Sequence, residues 1–349
     1  MTMDLIRIAN RDVGEGEPVF IIAEVGQAHD GSLGMAHFFI DAVAEAKADA
    51  IKFQTHIAQA ESTMDEPFRA KFSYEDKTRY DYWKRMEFNK GQWAGLVEHA
   101  RNRGLIFLSS PFSVEAVELL SGLGMPAWKI GSGEVNNPDL LDAIKKTKKP
   151  ILLSTGMSTM EEIQEGVMKI RQGNIPLALF QCTSNYPTPL EKVGLNILRI
   201  FKEKFRFPVG LSDHSGSIYP SLAAMTLGAH IIEVHVTFHR KIFGPDVSSS
   251  LTFEELELVT NGAKALHTMK MNPVDKDQMA EELHATRAIF NKSLALIRQM
   301  PKGTILKMEM LTLKKPGTGI PADDIAKVVG KKLCKKTEPD VLLRWEDLA

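Results

Sequence analysis

The chain has 349 residues, of which 44% are hydrophobic and 25% are charged, and its formal net charge is −1. This length suits one large barrel with a small appended module, and the balanced charge argues against a nucleic-acid surface or a polybasic membrane patch. The two cysteines, Cys182 and Cys334, form neither a zinc pattern nor a disulfide framework, which favours a reducing compartment. The start lacks the apolar segment of a signal peptide, and no apolar run reaches the length of a membrane span. We therefore expect a cytoplasmic protein.

The first structural signal is an alternating segment, residues 5–20, which breaks at Gly14 and Gly16 and predicts a small hairpin. Eight strand-like segments follow it, and most are apolar on both faces, as buried parallel strands are. They lie at 19–25, 50–54, 106–110, 127–131, 150–155, 177–182, 208–212 and 230–236. Apolar residues at helical spacing occupy 35–47, 113–123, 138–147, 158–170, 190–205, 218–228 and 252–269.

Capping residues support three of these helices. Ser113 is a predicted N-cap, Pro138 stands at the first position of its helix, and a Ser-x-x-Glu capping box begins at Ser158. Eight strand–helix units in roughly 250 residues predict an α/β protein built on a TIM (β/α)8 barrel. The second connection, 55–90, is long, and connections of that length in compact domains are usually functional.

The character of the sequence changes near residue 272. Residues 1–271 form the predicted barrel domain, and the polar stretch 272–284 is predicted as a linker. Residues 285–349 follow as a compact α+β module with short strand-like segments and one small helix. A module of this size is marginally stable alone, so we expect it to pack on a partner surface.

In a TIM barrel the polar residues that follow the strands gather on one face, where catalysis takes place. Taken strand by strand, the set contains Glu24, Lys52, Gln54, Ser109, Ser110, Lys129, Ser132, Glu134, Ser154, Thr155, Gln181, Thr183, Ser184, Ser212, Asp213, His214, Glu233 and His235. Lys52 lies inside an apolar strand, where a lysine is rare. It either pairs with Glu24 on the neighbouring strand or serves as an anion clamp or a Schiff-base amine. Lys129 has the same alternatives.

Small residues near these lysines favour an anionic substrate. A Gly-Ser-Gly turn follows Lys129, and the small-residue loop 153–158 precedes a helix, so backbone N–H groups at both places can approach an anion. Hydroxyl groups add to the two lysines, at Ser110, Ser132, Ser154, Ser184 and Ser212. Together these groups suit a molecule that carries a phosphate and a carboxylate, and phosphoenolpyruvate carries both.

Several other residues have two interpretations each. His214 and His235 close two strand-like runs and either bind one divalent metal together or are structural. Glu134 is a surface carboxylate or, if it points inward, an acid or base. Asp246 either forms a turn or contacts a polyol, and Tyr186 packs against the prolines that follow it or belongs to the site.

The chain resembles the sialic acid synthase family in the order and spacing of the segments AEVGQAHDG, DAIKFQT, FLSSPFS, WKIGSGE, LSTGMS, QCTSNYPTP, GLSDHS, EVHVTF and GPD. Its tail, KSLALI…PKGTILKMEMLTLKKPGTGI…VVGKK, is similar to the C-terminal antifreeze-like (SAF) domain of that family. The resemblance implies a transferase that condenses phosphoenolpyruvate with an open-chain N-acetylmannosamine-type sugar to give a nonulosonic acid and phosphate. It also implies a divalent metal, Mn²⁺ or Mg²⁺, and a domain-swapped homodimer in which each SAF domain caps the partner's barrel.

The resemblance assigns roles to individual residues of this sequence. Those that match the phosphoenolpyruvate pocket are Lys52, Ser110, Lys129, Ser132, Ser154, Ser184 and Ser212. Those that match positions near the sugar are Glu24, Gln54, Tyr186, Asp246 and Lys315. His214 and His235 match the metal ligands, and Glu134 matches an acid/base glutamate, so that the implied catalytic set is Glu134 with the two lysines.

Three positions depart from the family pattern. Ala28 stands where the family has asparagine, Val247 where it has histidine, and Lys315 where it has an arginine that reaches the partner's sugar. Lysine cannot make the bidentate contact of arginine. These departures lie on the sugar side, so N-acetylneuraminic, legionaminic and pseudaminic acid all stay open as products.

Two competing functions remain at this point. A class I aldolase would use Lys52 or Lys129 as an imine-forming amine, would need no metal, and would be trapped by borohydride with a keto substrate. A non-catalytic sugar-binding or scaffolding protein would keep the barrel, but it has no chemical need for two lysines, two histidines and Glu134. Release of phosphate from phosphoenolpyruvate and a sugar separates these functions.

Overall fold

The computed structural model of the chain describes residues 5–68 and 72–349. Its contacts divide it into two compact units, one that ends at Met271 and one that spans Asn272–Ala349. Residues 1–4, part of the start that we interpreted as lacking a signal peptide, and 69–71, part of the long second connection, lie outside the described residues.

The first unit begins with the predicted hairpin, β1 (Ile6–Ile8) and β2 (Arg11–Val13). Eight parallel strands follow, and they are β3 (Phe20–Gly26), β4 (Ala50–Thr55), β5 (Ile106–Pro111), β6 (Trp128–Ile130), β7 (Ile151–Ser154), β8 (Leu177–Cys182), β9 (Val209–Asp213) and β10 (Ile231–Val236). Hydrogen bonds give the order β5-β4-β3-β10-β9-β8-β7-β6, and β5 and β6 lie next to each other at the seam. A short strand, β11 (Ser250–Leu251), extends the sheet beside β10. The sheet is therefore the near-closed TIM barrel that the sequence predicts.

Helices surround the barrel and cover the outer faces of its strands. They are α1 (Leu33–Glu45), α2 (Ala58–Glu61), α3 (Arg79–Met86), α4 (Lys90–Asn102), α5 (Val114–Ser121), α6 (Pro138–Lys146), α7 (Met160–Arg171), α8 (Asn196–Phe205), α9 (Ile218–Thr226) and α10 (Phe253–Met271). The apolar faces of all these helices except α2 and α3 form the main hydrophobic core with the outward-pointing strand residues. Helices α2 and α3 form a separate apolar cluster of Ala58, Tyr82, Trp83 and Met86. The long connection after β4 thus contains two helices of its own, α2 and α3.

Three helix starts test the capping predictions. Ser113 caps α5, and Pro138 is the first residue of α6, both as predicted. The capping box of α7 lies one residue later than predicted, because it uses Thr159 and Glu162. The residue that we predicted as its cap, Ser158, instead uses its backbone N–H to close the preceding turn.

The hairpin covers the amino end of the barrel. Ile6, Ile8 and Val13 pack with apolar residues at the first positions of the strands, among them Phe20 and Ile231. Burial of this cluster closes the lower opening of the barrel with hydrocarbon. Polar chemistry is consequently confined to the opposite end, where the strands reach their carboxyl termini.

The second unit is small and has its own apolar core. Its elements are α11 (Lys276–Glu282), α12 (His284–Phe290), β12 (Ser293–Leu296), β13 (Leu311–Lys314) and α13 (Ile325–Val328). The antiparallel pair β12–β13 packs with Leu306, Ile320 and Leu343. Helix α11 lies within the stretch that we predicted as a linker. No helix within residues 5–68 and 72–349 is long and apolar enough to cross a membrane.

Candidate functional site

Charged side chains from neighbouring strands meet inside the carboxyl end of the barrel. Lys52 on β4 pairs in register with Glu24 on β3, and Glu233 on β10 pairs in register with Ser212 on β9. Every second residue of a strand points to the same face, so these side chains enter the barrel while their apolar neighbours face the helices. All four residues are buried.

Two buried glutamates pair with two buried lysines. Lys52 Nζ lies 2.5 Å from Glu24 Oε2 and 3.7 Å from Glu233 Oε2. Lys129 Nζ lies 2.9 Å from Glu233 Oε1. Glu233 therefore joins both lysines, and the formal charges of the four side chains cancel.

Ion pairing decides the charge of these groups. Burial lowers the pKa of Lys52, but attraction to Glu233 and Glu24 outweighs it, so that the net shift is upward. Burial likewise raises the pKa of Glu233, while Lys129 and Lys52 hold it well below its ordinary value. Ser212 Oγ also donates a hydrogen bond to Glu233 Oε1 at 3.0 Å. The centre of the site is thus a fixed array of charge.

Serine hydroxyls complete the contacts of both lysines. Lys52 Nζ donates to Ser110 Oγ at 3.2 Å, and Lys129 Nζ donates to Ser154 Oγ at 2.7 Å. Both serines stand at the ends of their strands, as the sequence predicts, and both are buried. An oxygen of a bound anion would accept the lysine hydrogen bond in place of the serine hydroxyl, or would accept hydrogen bonds from both the lysine and the serine.

A second cluster of small polar side chains surrounds Gly156, just past β7. A Cβ atom on Gly156 would lie 2.6 Å from Ser184 Oγ, 2.7 Å from Cys182 Sγ and 3.1 Å from Ser132 Oγ. The Gly156 N–H donates to Ser132 Oγ at 2.9 Å, and Ser132 Oγ lies 3.2 Å from Cys182 Sγ. Only glycine fits here, and the structure brings Ser132 and Ser184 together as the anion-binding interpretation requires. Cys182 is buried and belongs to this cluster.

The two predicted metal ligands are close to each other. The ring centroids of His214 and His235 are 5.4 Å apart. His214 Nδ1 donates to the Thr183 carbonyl at 3.0 Å, so Nε2 is the acceptor, and the Tyr186 hydroxyl donates to it at 3.2 Å. Burial and then the charge of His235 lower the pKa of His214 to about 3, which keeps this imidazole neutral. Asp246 Oδ2 lies 3.9 Å from His235 Nδ1.

This donor set fits a divalent metal. A histidine that binds a metal usually holds its second ring nitrogen on a carbonyl or carboxylate, as His214 does on Thr183. A neutral imidazole is also the form that binds metal. In the described ranges, no group of three or more His, Cys, Asp or Glu side chains is arranged to hold one ion. If a metal binds here, the two imidazoles would be its protein ligands, and oxygen atoms of water or substrate would complete the coordination.

The remaining predicted residues are Gln54, Glu134 and Lys315. Gln54 Nε2 donates to Glu24 Oε1 at 3.1 Å, which places the amide beside the charged array. Glu134 is half-buried in the turn after β6, and its Oε2 accepts a hydrogen bond from Asn137 Nδ2 at 2.8 Å. Lys315 is exposed in the second unit, where its Nζ lies 4.9 Å from the centre of the Phe290 ring.

Sequence reasoning left two important residues without a role. Glu233 stands out only through its alternation with Val234 and His235, which puts Glu233 and His235 on the inner face of β10. His56 follows β4 directly, yet its contact with Glu61 depends on the path of the long connection. Nothing in the local sequence foretells that path.

Comparison with known proteins identifies the family of each unit. The NeuB family matches residues 39–274, and the SAF domain matches residues 291–349. The N,N'-diacetyllegionaminic acid synthase of Campylobacter jejuni is 33% identical over 93% of this chain and 98% of its own length. The N-acetylneuraminate-9-phosphate synthase of Homo sapiens is 33% identical over 97% of this chain and 95% of its own length.

A solved structure gives the same result. The N-acetylneuraminic acid synthetase of Leptospira borgpetersenii aligns with a TM-score of 0.71 and 30% identity, over 81% of this chain and 97% of that one. The match therefore includes both the sequence and the arrangement of the barrel. This chain belongs to the NeuB family and carries a SAF domain at its carboxyl end.

Proposed function

We propose that the chain is a C–C bond-forming transferase that condenses phosphoenolpyruvate with an open-chain N-acetylmannosamine-type sugar. The products are a nonulosonic acid and inorganic phosphate. The observation that carries this proposal is the buried array of Lys52, Lys129, Glu24 and Glu233 at the carboxyl end of the barrel. The names of the relatives, which are synthases of such sugar acids, support it.

The array suits phosphoenolpyruvate because its cations are in place before the substrate arrives. Lys52 and Lys129 bind the phosphate and the carboxylate, and the serine hydroxyls next to them donate to the remaining oxygens. The cluster around Gly156 adds a backbone N–H and further hydroxyls at the start of the α7 connection. Groups that are already oriented lose little entropy when they bind, and they hold C3 of phosphoenolpyruvate towards the sugar carbonyl carbon.

The reaction then forms two bonds to carbon and breaks one. C3 of phosphoenolpyruvate attacks the sugar aldehyde carbon, and the aldehyde oxygen takes up a proton to become a hydroxyl. The hydroxide part of a water molecule adds to C2, and the proton that it leaves behind replaces the one taken up. The C2–O bond to phosphate in this adduct then breaks, the new hydroxyl gives its proton to the departing phosphate, and the 2-keto acid remains. We assign Glu134 as the acid or base for this water or its adduct, since its half-buried carboxylate follows the Gly131–Ser132 turn.

His214 and His235 would hold the divalent ion, Mn²⁺ or Mg²⁺. When bound, such an ion acts as a Lewis acid that polarises the sugar carbonyl oxygen. The Thr183 carbonyl keeps His214 Nε2 free of a hydrogen, and the Tyr186 hydroxyl stands beside that nitrogen. The Thr183 contact fixes the tautomer and the ring orientation that a ligand needs, and the Tyr186 hydroxyl would have to give up its hydrogen bond to Nε2 when a metal takes that lone pair.

We place the sugar against Glu24, Gln54, Tyr186 and Asp246. Lys315 would reach the same region from the partner chain of a domain-swapped homodimer, as a point charge instead of the fork of an arginine. The two cysteines, which form no disulfide framework, support a cytoplasmic location.

The structure disfavours a Schiff-base aldolase. An amine that forms an imine must be neutral when it attacks, and such lysines have a lowered pKa. The pKa of Lys52 is raised instead, because Glu233 and Glu24 stabilise its ammonium against the effect of burial. Borohydride treatment with a keto substrate is expected to leave the mass of the protein unchanged.

Phosphate release tests the proposal directly. The protein with Mn²⁺ is incubated with phosphoenolpyruvate and one of three sugars: N-acetylmannosamine, 2,4-diacetamido-2,4,6-trideoxymannose or its altrose isomer. We expect one of them to give stoichiometric phosphate and a nonulosonic acid. Absence of phosphate release with all three would refute this substrate class.

A further inference from the structure

A buried histidine in the long connection after β4 has no part in the proposed reaction. His56 lies one residue past β4, between the parallel rings of Trp83 and Phe112. Its ring centroid is 3.8 Å from that of Trp83, with 9° between the planes, and 4.3 Å from that of Phe112, with 11°. Only 6% of His56 is exposed. A ring enclosed on both faces keeps its two nitrogens pointing in fixed directions.

Both of these nitrogens have a polar partner. Nδ1 lies 2.5 Å from Oε1 of Glu61, whose side chain is 8% exposed. Nε2 lies 3.3 Å from Gln54 Oε1, and Gln54 Nε2 donates to Glu24 Oε1 at 3.1 Å. An unbroken hydrogen-bonded chain therefore runs from Glu61 through His56 and Gln54 to Glu24, which is ion-paired with Lys52.

This chain determines which atoms carry hydrogens. The Glu24 carboxylate only accepts, so Gln54 turns its NH₂ group towards Glu24 and its carbonyl oxygen towards His56. That oxygen also only accepts, so His56 Nε2 carries a hydrogen. Nδ1 and Glu61 then share a further proton across their short contact. Gln54 is consequently held at both ends, by Glu24 at its nitrogen and by His56 at its oxygen.

The aromatic neighbours of His56 also tie the long connection to the barrel. Trp83 belongs to α3, and its Nε1 donates to Glu66 Oε2 at 3.3 Å. Phe112 follows β5, and its Cε1 would lie 3.7 Å from a Cβ atom on Gly131, the residue before Ser132. His56 thus stands where the connection meets the rim of the barrel.

We propose that His56 is a positioning residue for the sugar. It fixes the Gln54 amide and, through Gln54, the Glu24 carboxylate, at the end of β3 and β4. This inference rests on the proposed function, in which Gln54 and Glu24 face the sugar while the lysines hold phosphoenolpyruvate. A substitution of His56 should therefore weaken binding of the sugar far more than binding of phosphoenolpyruvate.

Three variants of the full chain test this role. His56→Phe keeps a flat ring between Trp83 and Phe112 but removes both N–H groups. His56→Gln keeps an amide N–H near the position of Nε2 but loses the flat ring. Glu61→Gln keeps the shape of its side chain and removes the charge. His267→Phe, near the carboxyl end of α10, is the matched control for a histidine-to-phenylalanine change.

Steady-state phosphate release with Mn²⁺ and the sugar that the wild type uses gives a KM for each substrate. We expect His56→Phe to raise the sugar KM by about 10- to 100-fold, which is typical when a supporting partner of a site residue is lost. The KM for phosphoenolpyruvate should stay within about twofold. His56→Gln should lie closer to the wild type than His56→Phe, and His267→Phe should match the wild type.

Results that differ from these expectations contradict a specific part of the proposal. An unchanged sugar KM in His56→Phe, or an equal rise in both KM values, contradicts the positioning role. A His56→Gln variant no better than His56→Phe contradicts the contact to Gln54. If His56→Phe fails to fold, Glu61→Gln decides, because its sugar KM should rise several-fold. A wild type that releases no phosphate with any sugar refutes the proposed function and this inference together, whereas an active wild type isolates the inference.

Discussion

The array of buried charges makes Glu233 the most informative position for a stability test. Glu233→Gln keeps the size of the side chain and an acceptor for Ser212, but it removes the negative charge that Lys52 and Lys129 share. Breaking a buried ion pair on one side costs about 3–5 kcal/mol, because it leaves an uncompensated charge. Since an amide oxygen still accepts a hydrogen bond, we expect the lower end, about 3 kcal/mol.

Urea denaturation followed by circular dichroism measures this loss of stability. The melting temperature Tm should fall by on the order of 10 °C. Glu257→Gln, an exposed position on α10, is the matched control and should change stability by less than about 0.5 kcal/mol. The double variant Glu233→Gln with Lys129→Met should recover part of the loss, because it removes one of the unpaired cations. Equal stability of Glu233→Gln and the wild type, or strict additivity in the double variant, would show that the array does not act as one unit.

The other predictions concern binding, metal, oligomer and pH. Lys52→Ala and Lys129→Ala should each weaken phosphoenolpyruvate binding by at least about tenfold in calorimetry, with an unchanged circular dichroism spectrum, because each removes a charge-assisted contact. Chelation should abolish phosphate release and Mn²⁺ should restore it, and recovery without added metal would contradict the metal site. Lys315→Ala should raise the sugar KM without changing metal affinity, and deletion of residues 280–349 should impair sugar binding far more than phosphoenolpyruvate binding. A fully active truncated barrel, or a full-length monomer of full activity, would contradict this role of the second unit. Burial, with the charges of His56 and Arg85, lowers the pKa of His29 to about 3. Below about pH 6.5 His29 is therefore protonated in the unfolded chain but stays neutral in the folded chain. The free energy of unfolding should fall by about 1.4 kcal/mol for such a histidine between pH 7.5 and 5.5. His29→Asn should make the free energy of unfolding depend less on pH over this range.

The barrel could be predicted well because its strands are buried on both faces. The segment predicted at 50–54 is Ala50–Thr55 in the structure, and the one at 177–182 is Leu177–Cys182. Runs of this kind depend on local apolar content, which a single sequence displays. The predicted helix at 190–205 was too long, because only Asn196–Phe205 is α-helical and a separate 3₁₀ turn, Leu190–Lys192, precedes it.

The sequence could predict which residues gather at the site, but it could not predict which of them contact each other. For Lys52 the sequence left three interpretations open: an ion pair with Glu24, an anion clamp and a Schiff-base amine. The structure shows the ion pair, and binding of an anion by the same lysine stays a prediction. The pairing of Glu233 with Lys129 joins residues 104 positions apart, across the interior of the barrel. No local pattern encodes such a contact, since it depends on which strands face each other once the barrel closes. The same holds for His56, whose partners come from α2, α3 and the segment after β5.

The balance of charge gives a physical reason for a metal in the proposed reaction. Lys52 and Lys129 are already neutralised by Glu24 and Glu233, so phosphoenolpyruvate adds negative charge to a buried site with no net positive charge to receive it. Hydroxyl and N–H donors around Ser154 and Gly156 offset part of this cost, but they carry no full charge. A divalent cation at the two histidines would supply the missing positive charge close to the reacting atoms.

The same balance of charge makes a second prediction for Glu233→Gln, because this variant has a site with a net positive charge. The variant should bind phosphoenolpyruvate more tightly than the wild type, although it unfolds more easily. Calorimetry on the folded variant measures this, and weaker binding would mean that Glu233 orients the lysines more than it neutralises them.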